Sequence, residues 1–571
     1  MYGHSPIRWI DDGLGIEPNW VESWESNADA TVWTLNIRKG TRWSDGHLLT
    51  SEDFMFWWND MVLNLEMSDP VPDMFIAGGE TASIEALDQY TLQVTYREPA
   101  PLLPERLAMW PNAGHGERLI VPSHYLKQFH PDYSDSKDFE IFEEKMEWWF
   151  NPDCPVLTEW MPVDHQPARK LVLERNPYYY GVDTEGNQLP YIDTIEVNYV
   201  EDMEVVKLKL LNGEADMQVR PYVAMSDFAM LKKGEDAGGY NMYLWDSGSG
   251  TGPIFYPNWN HPDLEKRELY RSREFKAALS LALDRDRMQK MLFFNLGEKT
   301  TGTFSPKAIE FHRTEEGKEL YAKWRDLYVE YEPERAETLL DSIGVVDQDG
   351  NGWRDLPSGA PLMVRIDFDA TASKTDIQAN EMAKADWEAV GIRTQLNPVD
   401  GAALSMMDKT ASFDIRDSWE LGDGPNHIVF PQWIVPIDLS RWAPLNGAWY
   451  SVQGTAKADM ELDKDPRDRT PPREAPEPGG PVDRLQKLYD IVKIERDAEK
   501  RDALVKKMVK IHIEEGPFFI GTIADYPRAV IVNKKLRNVP DGKDLALGGF
   551  VNPTIMVYPA ITNPAQYWFD E

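Results

Sequence analysis

The first readable pattern lies at residues 31–38, where Val32, Leu35 and Ile37 sit among polar neighbours and predict a strand. Gly40 and Asp45-Gly46 break it, and Thr50-Ser51-Glu52-Asp53 supply an N-cap and first-turn acids ahead of Phe54, Phe56, Trp57, Trp58 and Met61. A helix is therefore expected from about residue 51. Further strands are expected at 90–97, at 170–176 and in IDTIEVNYV, with the turn-rich stretch 178–191 connecting the last two as antiparallel neighbours. Helical periodicity begins after Glu201 and stops at Asn212-Gly213, and EADMQV reads as a short strand. Apolar faces recur at 273–295, 333–344, 376–391 and 483–514, with strands LMVRIDFD and IRTQLN flanking the third. Alternation of this kind predicts an α/β architecture of mixed sheets flanked by helices.

One stretch breaks the alternation. Residues 463–481 are dense in charge and carry Pro466, Pro471, Pro472, Pro476, Pro478 and Pro481, which predicts an exposed insertion with no core of its own, removable without loss of fold. At 571 residues the chain should hold two to four domains. A formal net charge of −36 would repel a phosphate backbone or an anionic lipid surface, so nucleic acid is excluded as a partner. Cys154 is the only cysteine, which rules out an intramolecular disulfide and a thiolate metal cluster. No apolar run is long enough to span a bilayer, and the first residues lack the layout of an export signal.

The segment WTLNIRKGTRWSDGHLLTSEDFMFWWNDM at 33–61 is distinctive. It resembles the signature of the family 5 extracytoplasmic solute-binding proteins of ABC importers, matching at Arg38, Gly40, Trp43, Ser44, Asp45, Gly46, Thr50 and Asp53. LVLERNPYYY (171–180), LLNGEADM (210–217) and FKAALSLALDRDRM (275–288) resemble later motifs of the same family in the same order, and VDTEGNQLPYID resembles a subgroup of larger members that includes oligosaccharide binders. Most of these residues are expected to stabilise the fold and not to touch ligand. The resemblance implies a periplasmic-binding-protein-like two-lobe fold (class II, cluster C) with an extra accessory domain, closing on ligand as a hinged trap. The implied partition is a core lobe of 1–45, 165–250 and 520–571, an accessory domain of 46–164 and a second lobe of 251–519. Only 31 residues precede Val32, so an export signal and the first strand of the core domain are expected to be missing from this chain.

FDIRDSWELGDGPNHIVF (413–430) resembles the segment in which peptide-binding members place an aspartate against the ligand's amino terminus, and Asp423 falls at that spacing. A carboxylate in a closed cleft can pair with an ammonium group; a turn aspartate in Gly-Asp-Gly is the plainer reading. Trp419, Trp259 and Trp110 are candidate cleft aromatics, able to stack on sugar rings or cover apolar side chains, although 21 tryptophans in the chain make core packing the commoner role. Asp347, Asp349 and Asn351 occupy the first, third and fifth places of a calcium-loop pattern, but its twelfth place is Ser358, which favours a hydrogen-bonded turn over a metal site.

No Gly-x-Ser-x-Gly elbow, His-Glu-x-x-His pair or phosphate-cradling Gly-rich lysine loop is present, and no cofactor is implied. The expectation is a monomeric, non-enzymatic, periplasmic or otherwise extracytoplasmic binding subunit that carries its solute to membrane permease subunits. An oligopeptide ligand is the first reading, through Asp423. A short oligosaccharide is the alternative within the same role, and a secreted glycoside hydrolase is the alternative from another class, since Trp-lined clefts with paired carboxylates suit such an enzyme.

Overall fold

A computed structural model describes residues 5–10, 15–67, 71–108, 119–135, 138–218, 225–245, 250–302, 308–418, 428, 431, 434–437, 440–541 and 563–570. Strands Val21–Ser26, Val32–Ile37, Thr91–Thr95 and Ser83–Asp88 form an antiparallel sheet in that spatial order. Along Val32–Ile37, Trp33, Leu35 and Ile37 are buried while Val32, Thr34 and Asn36 are half-exposed, the period of two that a one-sided sheet demands. This sheet draws strands from both sides of residue 45.

The signature residues that follow are architectural. Thr50 and Asp53 make a capping box on helix Ser51–Phe56, with the Thr50 side chain accepting from the Glu52 N–H and the Asp53 carboxylate accepting from the Thr50 N–H. Buried Asp53 also accepts the Trp43 indole N–H (3.3 Å) and the backbone N–H and hydroxyl of Ser123 (3.0 and 2.7 Å). Burial raises its pKa against those bonds. Gly46 is needed with φ +89° at the tip of the turn, where a Cβ would also stand 3.0 Å from the Tyr178 ring. Asn176 closes the strand Lys170–Arg175 by donating to the Thr158 carbonyl (3.0 Å) and accepting from the Tyr178 N–H (2.9 Å).

Strands Trp160–Gln166, Lys170–Arg175 and Thr194–Asn198 form an antiparallel three-stranded sheet. Tyr180 ties it to the first sheet through Asn19 (2.5 Å), and Ile192 packs into the cluster of Trp245, Val530 and Val532. There, strands Met217–Gln218 and Tyr240–Trp245 flank Arg528–Asn533, both antiparallel to it. These three sheets lie on chain outside residues 251–519 and are called the first lobe.

The second lobe is built on strands Ile254–Pro257, Ile415–Ser418, Met363–Asp369 and Arg393–Val399, in that order. Met363–Asp369 runs parallel to both Arg393–Val399 and Ile415–Ser418, and Ile254–Pro257 is antiparallel. The crossover between the parallel pair is helix Lys374–Ala389, whose buried Ala379, Ala383 and Trp387 cover one sheet face together with Phe255 and Ile415. Ile254 and Tyr256 face the other side, toward helices Pro481–Ile494 and Ala498–Glu515. The single helical patterns expected at 273–295 and 483–514 are each two helices, split where Asp284 and Asp497 act as N-caps.

The Pro- and charge-rich segment 463–481 is docked, contrary to the expectation of a detached insertion. Arg473 is fully buried and donates to the carbonyls of Pro471 (3.1 Å), Lys457 (3.0 Å) and Met460. Glu474 takes its backbone partner from Leu445 (2.9 Å) and pairs with Arg267 (3.2 Å). Composition misleads here because a guanidinium with five donors can satisfy loop carbonyls and so replace an apolar core. Among the described residues no helix is long and apolar enough to cross a membrane.

Candidate ligand cleft

The chain passes between the two lobes twice, and the two passages lie side by side. Gly252 donates to Ile523 (3.1 Å), while Phe255 and Ile520 exchange backbone bonds of 2.9 and 2.8 Å. Thr522 accepts nothing from this ladder but adds to it, donating its N–H to Thr251 Oγ1 (2.9 Å) and its hydroxyl to the Pro253 carbonyl (2.7 Å). A Cβ on Gly521 would lie 2.2 Å from the Gly302 nitrogen and 2.7 Å from Thr251 Oγ1, so the second passage is closely packed where it runs past Gly302. Buried Arg285, from the motif FKAALSLALDRDRM, donates to the carbonyls of Gly521 and Thr300 (3.0 Å each) and of Ser280 (2.8 Å), fastening the crossing to the second lobe. Two adjacent connections of this kind form a hinge, which lets the lobes swing while each stays rigid.

Strand direction then locates the cleft. Ser418, the last residue of its strand, pairs with Ile254, the first residue after the hinge, so the carboxyl end of Ile415–Ser418 points toward the hinge. Met363–Asp369 runs parallel to it and ends beside the N-terminus of helix Lys374–Ala389. In the first lobe Tyr240–Trp245 likewise ends where the chain enters the hinge. Open α/β sheets bind ligands outside the carboxyl ends of their strands, and both lobes turn those ends to the hinge side. At that end of the second lobe Asp417 is buried, one oxygen accepting from Asn380 Nδ2 (2.8 Å) and the other, like Asn380 Oδ1, without a partner among the described residues. Burial, reinforced by Asp376, holds the Asp417 carboxyl well above the usual range, and Asn380 and Arg416 only partly oppose it.

Trp419 and Asp423 follow Ser418 in sequence and lie outside the described residues, as does Trp110. Trp259 is described, and it sits past Pro257, at the sheet end away from the hinge. Its ring meets Trp442 at 5.9 Å and Phe518 at 5.6 Å, with the Arg271 guanidinium and the Lys276 ammonium each 5.1 Å from its centroid. Contacts of this sort are core packing, and they separate Trp259 from the strand end that leads to Trp419. At the calcium-like loop, Asp347 accepts the backbone N–H groups of Gly350, Asn351 and Gly352 (2.8, 3.1 and 2.8 Å), and Asn351 is engaged by Asp349 and Trp353. The carboxylate that joins Asp347 and Asp349 within 4.8 Å is Asp355, at the ninth place, which the pattern reading passed over. The sequence reading also missed Asp417 and Asn380, since a buried carboxyl beside a strand end has no signal beyond its position.

Depressions in the surface are less informative than strand direction. One, about 520 Å3, is lined by residues of the Arg42–Glu52 turn together with Gln89. A second, about 360 Å3, opens between the lobes, lined by Val62 to Leu65 and Val71 on one side and Val452 to Lys457 on the other.

A family profile for bacterial extracellular solute-binding proteins, family 5, matches residues 15–435. The chain belongs to this family. It is 29% identical over 588 residues to a periplasmic alpha-galactoside-binding protein of Rhizobium meliloti, an alignment covering 97% of this chain and 75% of that protein. Its fold matches the periplasmic binding protein MelB of Agrobacterium fabrum, solved with stachyose, at a TM-score of 0.76 and 22% identity, covering all of this chain and 80% of that one. It also matches the oligopeptide-binding protein AppA of Bacillus subtilis, solved with a nonapeptide, at a TM-score of 0.71 and 16% identity, covering 100% of this chain and 93% of that one. The two-lobe fold expected from the signature is therefore the fold of this chain, and its role is that of an ABC-importer solute-binding protein.

Proposed function

We propose that this chain captures a short oligosaccharide of the alpha-galactoside class between its lobes, outside the cytoplasmic membrane, and delivers it to a pair of permease subunits without hydrolysing it. The observation that carries this reading is the likeness to the alpha-galactoside-binding protein, 29% identical over 97% of this chain. In this reading residues 251–519 form the second lobe, the remainder forms the first, and Trp419 supplies an aromatic face for a sugar ring.

Calorimetry with raffinose, stachyose and a panel of tri- to pentapeptides tests the ligand class. Saturable one-to-one binding of the galactosides with no heat from the peptides is expected, and Asp423→Asn should alter galactoside affinity by no more than an ordinary hydrogen bond, about 0.5–1.5 kcal/mol. Peptide binding that Asp423→Asn weakens tenfold or more would restore the amine-anchor reading. Release of free galactose over many cycles would move the protein to the hydrolases.

A further inference from the structure

The lobes meet a second time, far from the hinge in sequence, through side chains instead of backbone. Asp73 of the first lobe pairs with Arg106 of the same lobe at 2.7 Å. From the second lobe it accepts the Tyr489 hydroxyl at 2.5 Å, and the Lys493 ammonium lies 3.3 Å away. Lys493 also bonds the Tyr450 hydroxyl (2.7 Å), which in turn donates to Asp490 (2.6 Å), and the ammonium sits 5.0 and 5.3 Å from the Tyr450 and Tyr489 ring centroids. Around this cluster Thr81 donates to the Gly454 carbonyl (2.8 Å), Lys457 donates to the Met67 carbonyl (2.7 Å), and Leu102 packs into the second lobe's core. Gly454 is needed at the contact, since a Cβ there would meet the Gly79 carbonyl oxygen at 2.5 Å.

We propose that Asp73, Arg106, Tyr489 and Lys493 form a closure latch, a set of positioning residues that sets ligand affinity by stabilising the closed arrangement without touching ligand. It deepens the proposed function and rests on that reading only for the choice of sugar probe. With the lobes apart, Asp73 and Lys493 would be hydrated and satisfied by water. Brought together they are about nine-tenths buried, and each then gains a counter-charge from the other lobe beside the one in its own, Arg106 for Asp73 and Asp490 for Lys493. Burial alone would raise the Asp73 pKa, yet Lys493 and Arg106 hold it down, so the carboxylate stays charged in the contact. A contact made only in the closed state adds its free energy to ligand retention, because release requires the lobes to part.

The test uses Asp73→Asn, Lys493→Met and the double variant in the full chain, with spin labels at Glu85→Cys and Lys500→Cys reporting the distance between lobes and stachyose as the ligand. Each single change is expected to shift the ligand-free distance distribution toward longer values and to weaken stachyose binding about tenfold to a hundredfold, mainly through faster release. The double variant should be no worse than either single one, and melting temperatures should move little. Unchanged distances together with a lowered melting temperature would overturn the latch and make the cluster a strut inside one rigid body. Additive single effects in the double variant would overturn the coupling across the lobes. If no oligosaccharide binds any variant, the sugar reading falls, while the distance measurement still decides the latch.

Discussion

The two places where the lobes touch are built from different chemistry. At the hinge the partners are backbone groups and small side chains, Gly252, Thr251, Gly521 and Thr522, held at van der Waals limits. At the distal contact they are long side chains, with a carboxylate on one lobe and an ammonium and a phenol on the other. A backbone crossing keeps its bonds through any swing of the lobes, whereas a charge pair can exchange its partner for water. The hinge therefore has to be exact in shape, and the latch only has to be complementary in charge. Two buried lysines show a related contrast. Lys493 in the latch has Asp73 and Asp490 within 3.3 Å. Lys276, packed on Trp259 at the sheet end away from the hinge and 4.8 Å from the Phe518 ring centroid, is fully buried, and among the described residues its ammonium has no hydrogen-bond partner.

The largest effect should come from Gly521→Val. The new Cβ would lie 2.2 and 2.5 Å from the nitrogen and Cα of Gly302 and 2.7 Å from Thr251 Oγ1, and the backbone atoms cannot rotate away. A loss of about 3 kcal/mol or more is expected, read as a lower urea midpoint. An unchanged midpoint would mean that the backbone at Gly521 and at Gly302 can move apart without cost.

Acid should loosen the second lobe's core before the latch. His512 is buried against Phe518 and Phe519, and burial lowers its pKa to about 4 although its bond to the Ile434 carbonyl (2.9 Å) opposes the shift. The unfolded chain binds this proton at a pH near 6.5 and the folded chain only near 4, so stability falls as pH drops through that window, by up to about 3 kcal/mol. Asp73 is also shifted down, to about 2, but there it is the charged form that the fold favours, so its contribution is intact above an ordinary carboxylate's range and fades only between about pH 4 and 2. Denaturation midpoints from pH 7 to 4 should fall in the wild type and fall less in His512→Gln, while the distance between lobes holds. Opening of the lobes above pH 5 would contradict this order.

Arg473 supports the latch face from behind, through the carbonyls of Lys457 and Met460 in the stretch that docks on the first lobe. Arg473→Ala leaves those carbonyls unpaired, and a loss of about 2 kcal/mol is expected by chemical denaturation, with deletion of 464–480 costing more. A deletion variant of unchanged stability would return the segment to a detached insertion.

Much of the fold was legible because local rules produced it. Thr50 through Asp53 announced a capped helix, the strand patterns at 32–37 and 170–175 were found where expected, and the motif order at 33–61, 171–180, 210–217 and 275–288 belonged to the right family. What stayed hidden depends on long-range geometry. Nothing local says that Asp73 meets Lys493, 420 positions away, or that Arg285 reaches Gly521, 236 positions away. Trp259 misled for the same reason, since an indole looks alike in sequence whether it faces a ligand or, as here, a guanidinium and an ammonium. Proline and charge at 463–481 signalled solvent because composition cannot show an arginine turning inward.

The smallest effect, and the one whose sign is least intuitive, is expected from Lys276→Met. Burial lowers the pKa of this lysine to about 7, with the charge of Glu515 only partly opposing the shift. The unfolded chain keeps the proton up to a pH near 10.5, so between about pH 7 and 10.5 it binds more protons than the folded chain, and wild-type stability should rise with pH across that window. Methionine fills similar volume without the charge, but gives up the attraction of the ammonium to the rings of Trp259 and Phe518. Removing a buried charge that lacks a hydrogen-bonded partner outweighs that attraction, so the variant should gain about 1 kcal/mol at pH 7 and lose the alkaline rise. Lys493→Met offers the contrasting case, since it strips Asp73 of its partner in the other lobe and should favour opening. Urea midpoints at pH 7 and 9.5 for both variants separate the two lysines. A Lys276→Met protein less stable than wild type at both pH values would show that the aromatic cage compensates the ammonium as fully as the carboxylates compensate Lys493.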